Sequence, residues 1–419
     1  MKSIYFHLMP YDGLSEDFAS KHRSVWVDVP PDVVDSRRMH TLYNDYLDCL
    51  EFADKKGIDG IGVNEHHGNA YGLMASPNMM AAALSRRTYD SALLVMGDSI
   101  PLYNPSIRVA EELAMLDVMS GGRLIAGFPV GSSQDTNFAY GIPPATTRER
   151  YREGFELIKR AWQADEPFSY NGRYNKLRYV NPLPKPLQQP HPPIWTPGSG
   201  SLETFDFAID HDVPYCFLSY FGSDFARTNM QTFWDRVEAS GLDDNPYRAG
   251  LVQLVFVADT DAEAERLYER HVQYFFQRCT HIYPGFTEAP GYKSVESLRS
   301  VLPGPHAPTV KRLDSFANAK SYTWKDFIET GIVIAGSPDT VREQLEAASK
   351  EMRIGNWIQL MHIGDMPKDL AMHNIELYAD KVAPGLRHLW SEYEHPWWPK
   401  PIDDADRWHP TDSTPEVVA

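Results

Sequence analysis

Gly57-Ile58-Asp59-Gly60-Ile61-Gly62-Val63-Asn64-Glu65-His66-His67 is the stretch that frames the chain. Gly57 stops a helical pattern over Met39–Lys55, and Ile61 to Val63 is a short apolar run that reads as a buried strand. The run ends in a carboxylate and two adjacent imidazoles. In parallel α/β proteins chemistry sits at the C-terminal ends of strands, and histidine is the side chain whose ordinary pKa lies nearest neutrality. The same stretch also fits a plain polar strand end with surface histidines. A two-histidine metal site is disfavoured, because adjacent side chains on a strand end diverge and no spaced His or Cys partner follows.

Outward from this segment, strands and helices alternate. The patterns predict strands at Ser3–Met9, Gly60–Asn64, Ala92–Gly97 and Arg123–Phe128, with helices at Met79–Arg87 and Ile107–Met119. Arg150–Ala164 is amphipathic, with Tyr151, Phe155, Ile158 and Trp162 on one face of a 3.6-residue repeat. Aromatic residues around Asn171-Gly172 then signal a hairpin, and prolines cluster from Pro182 to Pro193. The alternation resumes with strands at Ile194–Thr196, Pro214–Ser219, Gly250–Ala258 and Trp357–Ile363. Its helices are Leu202–Ile209, Phe225–Ser240, Asp261–Arg278, one opening at Ser337-Pro338, and Asp369–Val382. Repeated βα units imply a parallel sheet, and eight of them imply a closed (β/α)₈ (TIM) barrel. The expected organisation is one barrel over residues 1–385, with a hairpin and Pro-rich insertion at 168–193 and a candidate lid at 280–322. The Trp-rich and Pro-rich residues 386–419 form a C-terminal arm.

Composition narrows the functions. The chain has 419 residues and a net charge of -17 from 40 basic and 57 acidic side chains, which argues against a nucleic-acid partner. Cys49, Cys216 and Cys279 offer neither a disulfide framework nor zinc spacing, so a reduced, cytoplasmic protein is expected. No run approaches the ~18 apolar residues of a membrane helix, and the first residues lack a signal-peptide pattern.

Further candidates lie at strand ends. Pro197-Gly198-Ser199-Gly200-Ser201 follows a strand and opens a helix, so its free amides and two hydroxyls suit a phosphate. It would equally serve as a tight turn with a serine cap. Gly127-Phe128-Pro129-Val130-Gly131 and Gly97-Asp98 end the fourth and third strands, where glycine lets a ligand approach the backbone. His362 ends the eighth strand. His281, Tyr283 and Tyr292 fall in the aperiodic 280–322 segment, which is long for a loop and fits either a lid or a structural insertion.

Together these residues resemble the bacterial luciferase-like flavin-dependent monooxygenase family. The resemblance is carried by Asn64-Glu65-His66-His67, Gly72 to Pro77, the block Arg108-Val109-Ala110-Glu111-Glu112-Leu113-Ala114-Met115-Leu116-Asp117 running into Gly121-Gly122-Arg123, the Pro197–Ser201 turn and Gly336-Ser337-Pro338. It implies a barrel binding reduced FMN (FMNH₂) at its C-terminal mouth, O₂ as co-substrate and no metal. Insertion of one oxygen atom into a small or medium apolar organic substrate, through a flavin C4a-(hydro)peroxide, would follow. It also implies a flavin reductase as partner and a homodimer. His66 would handle protons, with Glu65 and His67 in support. Phe6, Gly97, Asp98, Val130, Gly131 and Thr196 would lie near the flavin ring, and Gly198, Ser199, Gly200 and Ser201 would face its phosphate. Where luciferases carry a cysteine and an arginine after the fourth strand, this chain has Phe128-Pro129-Val130, so light emission and a fatty aldehyde are not implied. The alternatives are a deazaflavin (F420)-dependent reductase or dehydrogenase on the same barrel and a non-catalytic flavin-binding subunit.

Overall fold

The structure, a computed structural model, describes residues 1–131, 133–218, 220–287, 291, 292, 294, 295, 297 and 319–409. Its strands are β1 (Lys2–Phe6), β2 (Gly60–Val63), β3 (Ala92–Met96), β4 (Leu124–Gly127), β5 (Phe168–Asn171), β6 (Lys176–Val180), β7 (Ile194–Gly198), β8 (Tyr215–Leu218), β9 (Ala249–Val257), β10 (Val333–Gly336) and β11 (Asn356–Leu360). Strands β1-β2-β3-β4-β7-β8-β9-β11 pair in parallel in that order, and β11 returns to β1. The ring is the eight-stranded barrel that the alternation predicts. β5 and β6 form the separate antiparallel hairpin.

β10 is the one barrel-side strand the pattern does not show. Val333–Gly336 pairs with Leu254–Val257, beyond the part of β9 that β8 covers. The four-residue run reads as a lead-in to the helix Pro338–Met352, whose cap Ser337 accepts from Thr340 N–H. The long ninth strand exposes the edge that Val333–Gly336 fills.

The helices bury the faces their spacing predicts. In Ser36–Lys55 the buried positions include Met39, Leu42, Tyr46, Cys49, Leu50 and Ala53, a 3.6-residue stripe laid on the sheet. Each large apolar side chain buried this way contributes about 1.5–3 kcal/mol. The helix Asp261–Tyr274 runs directly into a π-helical turn, Phe275–Cys279. That turn re-aims the chain over the C-terminal mouth, as π-bulges often do beside functional sites.

The opposite end of the barrel is sealed by the C-terminal arm. Trp195 Nε1 donates to Trp397 O at 3.0 Å, Trp397 Nε1 to Asp212 O at 2.7 Å, and Trp390 Nε1 to Ile354 O at 2.9 Å. The Met1 ammonium binds Leu389 O. A cavity opens at the mouth formed by the strands' C-terminal ends. Residues 410–419 of the arm, and 288–290, 293, 296 and 298–318 of the expected lid, lie outside the described residues.

Candidate active site

A cavity occupies that mouth. Phe6, Leu8, Asn64, Glu65, His66, Met96, Gly97, Ser99, Val130, Gly131, Gly198, Ser199 and Ser201 border it from the strand ends, and Trp26, Tyr71, Tyr220, Phe221 and Ile282 border it from the loops. Two glycines make room. A Cβ at Gly62 would stand 2.9 Å from Phe6 Cδ2, so glycine in β2 lets the Phe6 ring lie across its neighbour. A Cβ at Gly97 would fall 1.7 Å from Gly127 O, so no side chain fits between β3 and β4 there.

The two adjacent histidines part company. His67 is buried, its Nε2 2.9 Å from Glu65 Oε1, and does not border the cavity. Glu65 also receives Tyr103 O–H at 3.0 Å and Ser99 N–H at 2.7 Å, so this carboxylate ties β2 to β3. His66 borders the cavity with its side chain 17% exposed. Its Nδ1 lies 2.9 Å from Asp135 Oδ2. The ring meets Tyr71 edge-on at 5.0 Å and Trp26 at 5.8 Å. Asp135, from the helix Gln134–Ala139, is a site residue that sequence reasoning missed.

Asp98 turns away from the cavity. It is fully buried, and its Oδ1 accepts from Asn78 Nδ2 at 3.0 Å and Tyr103 O–H at 3.3 Å. Burial raises its carboxyl well above the ordinary value, and the nearby charges of Glu65 and Glu112 add to this. Thr196 is buried and Gly200 packs against Asn229, and neither borders the cavity.

His362 sits in a sealed pair. His7 Nδ1 accepts from Met9 N–H at 2.8 Å, so its Nε2 donates to His362 Nδ1 at 3.1 Å, and His362 Nε2 donates to Met366 O at 2.8 Å. Burial pushes His362 down to about 4 and lowers His7 well below its ordinary range. Both rings are buried, fully bonded and neutral, and neither borders the cavity. His281 is likewise engaged: its Nε2 donates to His22 O at 3.0 Å and its Nδ1 accepts from Lys320 at 2.7 Å. Tyr283 lies outside the cavity under the Arg23 guanidinium. Tyr292 borders it.

A cation stands beside the Pro197–Ser201 turn. Arg148 donates through Nη2 to Ser201 Oγ at 3.0 Å and through Nε to Tyr292 O at 3.1 Å, with its guanidinium over the Tyr292 ring. The turn opens the helix Leu202–Asp210, where Leu202 N–H donates to Ser297 Oγ at 3.3 Å and the Glu203 carboxylate lies 3.6 Å from Arg148 Nη2. Sequence reasoning left this basic residue unplaced, because Arg148 comes from another helix, 53 positions earlier. No group of three or more metal-ligating side chains occurs among the described residues, and no helix there is long and apolar enough to cross a membrane.

The sequence model of the luciferase-like monooxygenase family matches residues 28–354. The chain belongs to that family. Among its relatives is the oxygenase component of flavin-dependent trigonelline monooxygenase from Acinetobacter baylyi, 31% identical over 43% of this chain and 49% of that protein. The chain therefore spans about half the length of that relative. Limonene 1,2-monooxygenase of Rhodococcus erythropolis is 25% identical over 84% of this chain and 83% of its own. The fold is shared with the oxygenating constituent of 3,6-diketocamphane monooxygenase from Pseudomonas putida, solved with FMN, at TM-score 0.68 and 20% identity, covering 92% of this chain and 98% of that one.

Proposed function

We propose that this luciferase-like protein is the oxygenase of a two-component monooxygenase that uses FMNH₂ and O₂ and inserts one oxygen atom into a small or medium, uncharged organic molecule. The observation that carries the reading is the cavity's polarity. One end carries the Ser199 and Ser201 hydroxyls, with the Arg148 guanidinium behind Ser201. The other holds a histidine on a buried carboxylate among aromatic walls.

The residues fit a flavin mononucleotide. Ser199, Ser201 and Arg148 would hold the phosphate. The cleared backbone at Gly97, with Phe6, Val130 and Gly131, would take the flat ring. Reduced flavin, when bound, supplies the electrons that activate oxygen. The chain's own groups orient and shield it. Phe6, Leu8, Leu218, Phe221 and Ile282 exclude water from the reacting end. His66 moves a proton at Nε2, the ring atom that the Asp135 contact leaves over. At the end near His66 no lysine or arginine borders the cavity among the described residues, which favours an uncharged substrate over an anionic one.

A separate reductase would supply FMNH₂. A second copy of the chain would cover Met79, Met115 and Met119, which are exposed on two adjoining helices. Size-exclusion chromatography with light scattering should give twice the 47.6 kDa chain mass. The functional test is reconstitution with a flavin reductase, FMN and ¹⁸O₂ over a panel of neutral cyclic and open-chain organics. One labelled oxygen per product molecule is expected, with turnover about 100-fold lower in His66→Ala. Unlabelled product, or an unchanged rate in His66→Ala, would count against the reading.

A further inference from the structure

We propose that Asp135 is the positioning residue for His66: it fixes the imidazole as the Nδ1–H tautomer and directs the Nε2 lone pair into the cavity. The inference rests on the reading of His66 as the proton-handling group and adds the device that sets its direction.

The geometry is over-determined. Asp135 Oδ2 accepts from His66 Nδ1 at 2.9 Å, from Asn69 Nδ2 at 2.9 Å and from the His67 backbone N–H at 3.4 Å. Asn69 is itself pinned, because its Oδ1 accepts from Gly72 N–H at 2.8 Å, so its amide group must donate to the carboxylate. The carboxylate thus stands in place independently of His66. Burial alone would raise Asp135, but the hydrogen bond and charge of His66, with the other donors, hold it below its ordinary value. An ionised carboxylate only accepts, so Nδ1 must carry the proton.

The ring plane is also held. Tyr71 meets it edge-on at 87°, and His66 N–H donates to Met74 O at 3.0 Å. A Cβ at Gly72 would stand 3.0 Å from His66 Cδ2, so the absence of a side chain there admits the ring. The other titratable groups around this end are Glu65, which binds His67, and Tyr71 and Tyr220, whose hydroxyls bond each other at 2.9 Å. His66 is therefore the histidine poised to act as a base. Its Nε2 takes a proton from an acidic O–H or C–H in the cavity, the ring becomes imidazolium, and Asp135 stays ionised beside it. Release of that proton to solvent restores the starting tautomer.

The test is ¹⁵N-histidine NMR on the full-length protein, with the His66 signals assigned by their loss in His66→Gln. The neutral ring should show the Nδ1–H tautomer. In Asp135→Ala, which removes the acceptor, that preference should be lost and the Nε2–H form should appear. Unchanged His362 signals would show that the variant keeps its fold. An Nε2–H tautomer in the wild-type protein, which needs no variant, would overturn the proposal, as would an unchanged Nδ1–H preference in folded Asp135→Ala. The readout needs no flavin. An Nδ1–H ring in a protein whose His66→Ala variant keeps full turnover would leave the tautomer assignment standing and refute the functional reading.

Discussion

Replacing His362 by glutamine should make the protein less sensitive to acid by an amount the structure sets. The wild-type ring is fully buried, accepts from His7 and donates to Met366 O, and burial lowers it from 6.5 to about 4. Below pH 6.5 the unfolded chain takes up a proton that the folded ring refuses, so acid favours unfolding. Above 6.5 neither state binds it and the contribution vanishes. Each pH unit across the window from 6.5 down to about 4 is worth about 1.36 kcal/mol. Relative to pH 7, His362 alone then costs the native state about 2 kcal/mol at pH 5 and about 3 kcal/mol at pH 4. Glutamine does not titrate, and His7 and the remaining groups titrate in both proteins. The assay is urea unfolding by tryptophan fluorescence at pH 7, 6 and 5 for both proteins. The variant starts less stable, having lost a buried hydrogen-bond partner, and the gap should close by about 2 kcal/mol at pH 5. A gap that stays constant with pH would show that the His7–His362 pair titrates normally in the fold.

Other consequences follow from named contacts. Arg148→Ala should weaken FMN about 10-fold to 100-fold, the value of a charge-assisted hydrogen bond, while leaving riboflavin, which lacks the phosphate, within about 2-fold. Equal losses for both ligands by fluorescence titration would exclude Arg148 from phosphate binding. Gly97→Ala puts a methyl group where only 1.7 Å separates it from Gly127 O, so β3 and β4 must separate. We expect at least about 3 kcal/mol of destabilisation by chemical unfolding, and a near-neutral change would contradict the packing. Asp98 is raised by burial and neighbouring charge, so its proton is lost more readily in the unfolded chain. As pH rises above about 4 the wild type should lose stability relative to Asp98→Asn, until the folded carboxyl itself ionises. The opposite slope would mean that Asp98 is an ionised group in the fold.

The barrel was legible because its evidence is local. Apolar runs, helix stripes such as Tyr151, Phe155, Ile158 and Trp162, and caps such as Ser337 each state their element within a few residues. The exception, Val333–Gly336, is only four residues long and earns its strand identity from the upper part of β9. The cavity-forming stretches were legible for the same reason, since they end strands. Direction within them was not. Gly97 and Asp98 are neighbours just past the end of β3, yet one borders the cavity and the other is buried behind it. His66 and His67 separate in the same way, and nothing in their order says which one opens to the cavity. The partners were illegible because they are distant in sequence: Asp135 is 69 positions from His66. The turn at Gly198–Ser201 looks the same in sequence whether or not a guanidinium faces it.

In the proposed function this chain directs the reaction of reduced flavin with oxygen. The most direct measurement loads the protein anaerobically with FMNH₂, mixes it rapidly with oxygenated buffer and records the flavin spectrum. We predict a transient species distinct from both reduced and oxidised FMN, formed in the wild type and altered in lifetime by His66→Ala. Conversion to oxidised FMN at the rate of the free flavin, with no transient, would contradict the account and direct attention to a deazaflavin as the cofactor.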